Sequence, residues 1–333
     1  MTGADDDELV RLLEELVRID SVNPGLDPGG PGELVIAGHV QQWATGHGLN
    51  VERAGDPARP SLIISTTRTG PGPTLLLCGH LDTVGHGTMT NPTTPRLADG
   101  RLHGRGAYDM KGGLAAALTA ATRLNHPDHP GTVIVAAVAD EEHLSLGAAA
   151  VLESISADAA IVTEPTELSV AVTHRGFAWI EISVAGVAAH GSRPELGVDA
   201  IVAAGPVLTG LAGLQRRLAA VRHPDLGPGT VHASLISGGQ DASTIPGRCT
   251  LLVERRTIPG EPASQALAEI EQILGPARLA MPAAAFSARV VAERSPLETP
   301  GTNPSSGPPS PPGSRSWASP RPPVASATGP TRP

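Results

Sequence analysis

Residues 74–84 read TLLLCGHLDTV, and residues 132–143 read TVIVAAVADEEH. Each is a short, near-continuous apolar run that ends on an imidazole or a set of carboxylates. Runs of this length suit strands buried on both faces, as in a parallel sheet covered by helices. Residues 62–65 and 159–162 have the same character. Between and before them lie helical patterns: an Ala-rich stretch at 113–124, a segment at 33–46, and residues 7–19, where Leu9, Leu12, Leu13, Leu16 and Val17 form one stripe. Strands alternating with helices predict an α/β fold with a mostly parallel sheet flanked by helices.

The pattern changes near Phe177. Residues 177–187 (FAWIEISVAGV), 230–236 and 249–255 (CTLLVER) alternate apolar with polar, as half-exposed antiparallel strands do. Helical segments at about 198–218 and 262–273 separate them, and a last strand is expected near 287–293. The expected organisation is thus a first domain over 1–176 and an inserted α+β unit over 177–297. A Pro/Ser-rich tail over 298–333 follows. Residues 300–333 hold eleven prolines, one valine, and no Asp, Glu, Leu or Ile. Such a composition cannot bury enough apolar surface to offset its ordering entropy, so the tail is expected to be disordered.

Bulk properties exclude some functions. The 333 residues carry a formal charge of −9 without a basic stripe, which argues against a nucleic-acid partner. The acidic run Asp5-Asp6-Asp7-Glu8 sits where carboxylates suit a helix start. The two cysteines, Cys78 and Cys249, lie far apart in apolar runs and read as buried thiols of a reduced compartment. No signal-like stretch and no apolar run of membrane-spanning length occurs, so the expected location is the cytoplasm, with no membrane partner.

Four motifs fall at the ends of the predicted parallel strands, where open α/β sheets place their sites. In Gly79-His80-Leu81-Asp82-Thr83-Val84, an imidazole next but one to a carboxylate suits a metal-bound histidine supported by an acid. Alone, a histidine after a strand is more often a satisfied polar residue than a ligand. In residues 104–113 (GRGAYDMKGG), glycines project Asp109 just before a helix, where it could also be a simple N-cap. In Asp140-Glu141-Glu142-His143, adjacent carboxylates at the end of a buried strand need cations or protons. In Thr163-Glu164-Pro165-Thr166, the proline holds the carboxylate extended.

In this order, at these strand ends, the four motifs resemble the M20 family of metallopeptidases and deacylases, which includes acetylornithine deacetylase, succinyl-diaminopimelate desuccinylase and carboxypeptidase G2-like enzymes. The likeness covers roughly residues 8–297 and implies a dinuclear zinc hydrolase that cleaves the amide bond of N-acyl amino acids or small peptides. It implies that Asp109 bridges two zinc ions, that His80 and Glu164 complete one position, and that Glu142 belongs to the other. It implies that Asp82 orients His80 through its second ring nitrogen, and that Glu141 is the general base. Cobalt or manganese would suit the same ligands. The inserted unit resembles the family's dimerisation lid, which implies a homodimer. Within it, Ala189-His190-Gly191-Ser192-Arg193-Pro194 maps His190 to an oxyanion-stabilising role in the partner's site. Arg256 maps to a substrate-carboxylate contact, although its neighbour Arg255 is also available and either could be a solvated strand-end charge. Ser243-Thr244-Ile245-Pro246 departs from relatives that carry Asn before Ile-Pro.

The family returns from the lid to the catalytic domain and supplies a late histidine to the Glu142 position. Here no histidine follows His232. The expectation is therefore a catalytic domain whose C-terminal part is missing, a tail that reads as out-of-frame translation, at most one tightly bound zinc, and impaired hydrolysis. The alternative is an inactive family member that only dimerises and binds one metal.

Overall fold

The structure, a computed structural model, describes residues 3–67 and 72–299, so the expectation for residues 300–333 lies outside the described residues. The chain divides into two compact units, Met1–Ser169 and Val170–Pro333, where the sequence reading puts the boundary after residue 176.

The first unit runs α1 (Gly3–Arg18), α2 (Leu34–Gly46), β1 (Asn50–Ala54), β2 (Ser61–Ser65) and β3 (Thr74–His80). There follow a small hairpin, β4 (Arg96–Ala98) with β5 (Arg101–His103), and a π-helical turn (Ala107–Lys111). Then come α3 (Gly112–Leu124), β6 (Thr132–Val138), α4 (Leu146–Leu152) and β7 (Ala159–Val162). The sheet order is β1-β2-β6-β3-β7. The expected helix-covered sheet is present, but its pairing is mixed rather than mostly parallel. β3 runs parallel to β6 and β7, while β1–β2 and β2–β6 are antiparallel. The connection explains this: residues 55–60 between β1 and β2 are too few for a crossover, so β2 must return antiparallel.

The unbroken apolar run of β6 arises because both of its faces are covered. Val133, Val135 and Ala137 pack with Leu12, Leu16, Ile36, Val40, Leu114 and Leu118 from the first three helices. The alternate residues Ala136 and Val138 pack with Ile63, Leu76 and Val151 on the α4 side. Lys111 is buried, and its ammonium donates to the carbonyls of Leu16 (3.0 Å) and Ile19 (2.8 Å). It thereby satisfies acceptors at the end of α1 that the helix cannot satisfy itself.

The second unit holds a four-stranded antiparallel sheet. Its strands are β9 (Gly176–Ala185), β13 (Thr230–Gly238), β15 (Arg248–Thr257) and β16 (Ala285–Arg294), in the order β13-β15-β9-β16. Alternation is clear: Ala178, Ile180, Ile182 and Val184 face inward with Cys249, Leu251 and Val253. Helices α5 (Ala200–Ala203), α6 (Gly205–Leu218) and α7 (Ala263–Ala280) accompany the sheet, with Val207, Leu211, Leu214, Ile270 and Leu274 packed in its core. Short pairings complete the unit: β8 (Thr173–His174) with β17 (Leu297–Glu298), β10 (Ala189–His190) with β14 (Thr244–Ile245), and β11 (Arg222–His223) with β12 (Gly227–Pro228). Thr299 N–H donates to the Val172 carbonyl at 3.0 Å, so hydrogen-bonded structure reaches past the residue where the tail was expected to begin. Both cysteines are unpaired.

Candidate metal centre

Parallel pairing brings three strand ends together. The register sets His80 of β3 opposite Val138 of β6, and Cys78 opposite Val162 of β7. The residues that follow β6 and β7 therefore emerge beside His80, as expected at the carboxyl ends of an α/β sheet. Asp109 arrives from another direction, on the π-helical turn before α3, with a cis peptide to Met110. What holds this turn close is Gly113, where a Cβ would stand 2.2 Å from the Thr163 carbonyl oxygen. Only glycine lets α3 approach the exit of β7 so closely.

One donor atom from each of His80, Asp109 and Glu164 lies within 4.8 Å of the others. His80 is 1 % exposed, and its Nε2 sits 3.2 Å from Asp109 Oδ1, 3.9 Å from Glu164 Oε1 and 3.9 Å from Glu141 Oε2. Its Nδ1 donates to the main-chain carbonyl of Asp82 at 2.9 Å. That hydrogen bond leaves Nε2 as the nitrogen turned to the carboxylates.

The charge balance is uneven. Burial disfavours the His80 imidazolium, but the Asp109 hydrogen bond and the carboxylates of Asp82, Glu141 and Glu164 overcome it and push the pKa up to about 9. Burial, with neighbouring carboxylates, raises Glu164 to about 7 and also raises Glu141 and Glu142. Asp109 is lowered, chiefly by its hydrogen bond to His80. One imidazole cannot balance this many acids, so the cluster must hold protons or a cation. An imidazole nitrogen and two carboxylate oxygens are a donor set that fits a divalent ion such as zinc.

The other residues expected at the site take the following positions. The Asp82 carboxylate is 3.7 Å from His80 Nδ1 and does not orient the ring; the Asp82 main-chain oxygen does. The carboxylate is turned instead to three N–H donors: Asn23 Nδ2 (2.7 Å) and the amides of Glu141 and Glu142 (3.1 Å each). Glu142 is held beside the cluster by this amide but is not in the three-donor group. In the second unit, His190 is exposed, with Nδ1 2.8 Å from Ser192 Oγ, on a strand paired with Thr244. Arg255 is not a solvated charge: it is 1 % exposed and bonded to Glu269 (2.8 Å) and Glu261 (2.9 Å). Arg256, on the opposite face of β15, lies over the Phe177 ring at 5.9 Å and 3.3 Å from Glu254.

Sequence reasoning missed the support under the acidic loop. Asn23, Glu33 and Arg59 carry no motif, and nothing in its motif gives Asp140 a role apart from its neighbours. They act across 117 residues in the case of Asn23 and Asp140, and no spacing signals such a contact.

An α/β sheet with an imidazole–carboxylate cluster at its parallel strand ends is the architecture of a candidate metal centre. Residues 76–299 match the model of peptidase family M20/M25/M40, and the chain belongs to that family. It is 34 % identical over 278 residues to acetylornithine deacetylase of Myxococcus xanthus, covering 79 % of this chain and 71 % of that one. It is 30 % identical over 257 residues to succinyl-diaminopimelate desuccinylase of Marinobacter nauticus, covering 72 % and 65 %. Among solved structures, a putative aminohydrolase from methicillin-resistant Staphylococcus aureus shares the fold with a TM-score of 0.71 at 17 % identity, over 89 % of this chain and 78 % of that one. A Bacillus subtilis protein described as a dinuclear metal-binding peptidase of the M20 family does so with a TM-score of 0.65 at 16 % identity, over 89 % and 76 %. The expected family and enzyme class, a hydrolase of deacetylase, desuccinylase and peptidase kinship, therefore stand. No helix among the described residues is long and apolar enough to cross a membrane.

Proposed function

We propose that this protein is a metal-dependent amidohydrolase acting on N-acyl amino acids or small peptides in the cytoplasm. The observation that carries the reading is the meeting of His80, Asp109 and Glu164 donors within 4.8 Å, with Glu141 Oε2 3.9 Å from the same imidazole nitrogen. These three residues would hold one divalent ion, with Asp109 shared with a second position to which Glu142 belongs; zinc, cobalt and manganese all suit the donors. When bound, such an ion would acidify water and polarise the scissile carbonyl.

The chain's own residues then have separate tasks. Glu141 removes a proton from the attacking water and returns it to the leaving nitrogen. Burial raises its pKa, which suits a carboxyl that holds a proton between two steps. The Asp82 carbonyl keeps Nδ1 of His80 occupied, so that Nε2 serves the centre. His190 is proposed to stabilise the oxyanion in a partner's site, and Arg256 to hold a substrate carboxylate. In support of a homodimer, β13 is an edge strand on which Leu235 and Ile236 are 65 % and 55 % exposed.

Because Glu142 lies outside the three-donor group, we infer one tightly held metal and slow hydrolysis. The second reading, a non-catalytic metal-binding dimer, is favoured by the same observation. Free-amine release from N-acetyl and N-succinyl amino acids, with metal counted by elemental analysis, separates them. Slow turnover abolished by Glu141→Gln supports the enzyme, and none at all supports the second reading. Metal retained in Asp109→Asn would sink both.

A further inference from the structure

Beneath the acidic loop lies a chain of buried polar groups that the proposed chemistry does not use. Asn23 is 0 % exposed, and its side-chain amide donates to Asp82 Oδ2 at 2.7 Å and to Asp140 Oδ1 at 3.1 Å. Its own oxygen accepts from Gly25 N–H at 2.8 Å, so every polar group of the side chain is satisfied. Asp140, at φ +61°, occupies the left-handed region, which residues other than glycine adopt uncommonly. Its carboxylate meets Arg59 Nη1 at 3.0 Å. The same guanidinium grips Glu33 through Nε (2.8 Å) and Nη2 (2.6 Å), and Glu33 Oε1 accepts the Asp140 amide at 3.0 Å.

Glu33 is 0 % exposed and Asp140 2 % exposed, so the two acids depend on Arg59 as a shared cation. The guanidinium is in turn held firmly charged, above its ordinary range, chiefly by its hydrogen bond to Glu33. These contacts hold the loop backbone on either side of the two acids. Asp82, gripped by Asn23, accepts the amides of Glu141 and Glu142. Glu33 accepts the amide of Asp140, and Asp140 that of Leu144 at 3.3 Å. Asp140 carries the loop from one side and Asp82 from the other, and Asn23 locks the two together.

We propose that Asn23 and Arg59 are positioning residues that aim Glu141 and Glu142 at the metal cluster, acting through Asp82 and Asp140 without joining the chemistry. This rests on the reading of Glu141 and Glu142 as working carboxylates, and it adds residues that no motif marks. Asn23→Leu keeps the side-chain shape but removes both donated hydrogens. Arg59→Ala removes the shared cation and leaves a space that free guanidinium ion can enter.

The test is amide hydrogen exchange together with the visible absorption of cobalt(II) loaded into the full-length protein. Both variants should speed exchange at Glu141 and Glu142 at least about tenfold and shift the cobalt band, while the β6 amides of residues 133–138 stay within about twofold of wild type. A purely structural role would move the core amides in step with the loop. Guanidinium should restore Arg59→Ala and not Asn23→Leu. If Arg59→Ala does not fold, Arg59→Lys is the substitute: a point charge cannot bridge Glu33 and Asp140 as a fork does, so the loop should still exchange faster. Wild-type exchange at Glu141 and Glu142 with an unshifted band in both variants overturns the proposal. Asp109→Asn is the separate control: a cobalt band unchanged there refutes the metal reading instead.

Discussion

The His80 ring is oriented by the Asp82 main chain and not by its carboxylate: Nδ1 lies 2.9 Å from the Asp82 carbonyl oxygen and 3.7 Å from Oδ1. A backbone carbonyl is as good an acceptor as an acid for fixing a ring tautomer, and no side-chain change removes it. The acid is thereby freed to bind the loop that carries Glu141 and Glu142.

The Asp82→Asn variant should therefore keep the His80 Nδ1–H resonance in the proton spectrum. An asparagine at this site offers one acceptor fewer, so the amides of Glu141 and Glu142 should exchange faster, by about tenfold for a bond to a charged group. Loss of the His80 resonance with undisturbed loop amides would restore the carboxylate to the orienting role.

Metal affinity should depend steeply on Asp109. The carboxylate lies 3.2 Å from His80 Nε2 and has a donor oxygen within 4.8 Å of one on Glu164, so it joins the other two donors. Chelator competition should show Asp109→Asn weakening zinc by more than about 100-fold, because changes to outer partners alone cost about 10–100-fold. A loss below about tenfold would show that the cluster is not the main site.

Binding should also strengthen with rising pH. A ligand must be deprotonated, and without metal His80 holds its proton up to about 9 and Glu164 up to about 7. Below pH 7 both protons must leave, and between pH 7 and 9 only that of His80. Calorimetry in buffers of different ionisation enthalpy should find roughly two protons released per metal near pH 6 and roughly one near pH 8. Binding that does not vary with pH would mean that neither group is a ligand.

Much of this site is legible in the sequence because it is built on strand ends, and strand ends follow from apolar periodicity. His80 and Asp140 to Glu142 follow largely buried apolar runs, whereas Glu164 follows β7, an apolar edge strand whose residues are exposed rather than buried on both faces. The mixed pairing of the sheet was not legible. Asn50–Ala54 has the burial pattern of an edge strand with polar residues on it, and its weak periodicity hides it. Nor were Asn23, Glu33 and Arg59, whose importance arises from contacts between distant segments. A polar residue in a Pro/Gly loop looks the same whether it faces water or a buried carboxylate.

Arg255 and Arg256 are adjacent in sequence and should differ sharply in stability. Arg255 is buried between Glu261 and Glu269, both 12 % exposed, so Arg255→Met strands two acids and should cost about 3–5 kcal/mol. Arg256 is 34 % exposed and pairs with Glu254 at 3.3 Å, so Arg256→Ala should cost less than about 1 kcal/mol. Urea unfolding of the two variants decides it, and equal losses would contradict the burial of Arg255.

Two glycines in helices should respond to alanine with opposite signs. At Gly38, within α2, an added Cβ would meet nothing within 4 Å, so Gly38→Ala should gain about 0.5–1 kcal/mol from helix propensity. At Gly113 the added carbon would stand 2.2 Å from the Thr163 carbonyl oxygen and 2.9 Å from its hydroxyl. Thr163 cannot yield easily, because its amide and hydroxyl both donate to the Cys78 carbonyl, at 2.9 Å and 3.1 Å. The start of α3 must move instead, and Asp109 shortly before it moves away from Glu164, which directly follows Thr163. Gly113→Ala should lose about 1–3 kcal/mol of stability. It should also weaken zinc by about tenfold or more, since it separates two ligands without altering either. Thermal unfolding of the metal-free protein and chelator competition measure the two effects independently. Wild-type zinc affinity in a destabilised Gly113→Ala protein would show that Asp109 does not depend on this contact for its place.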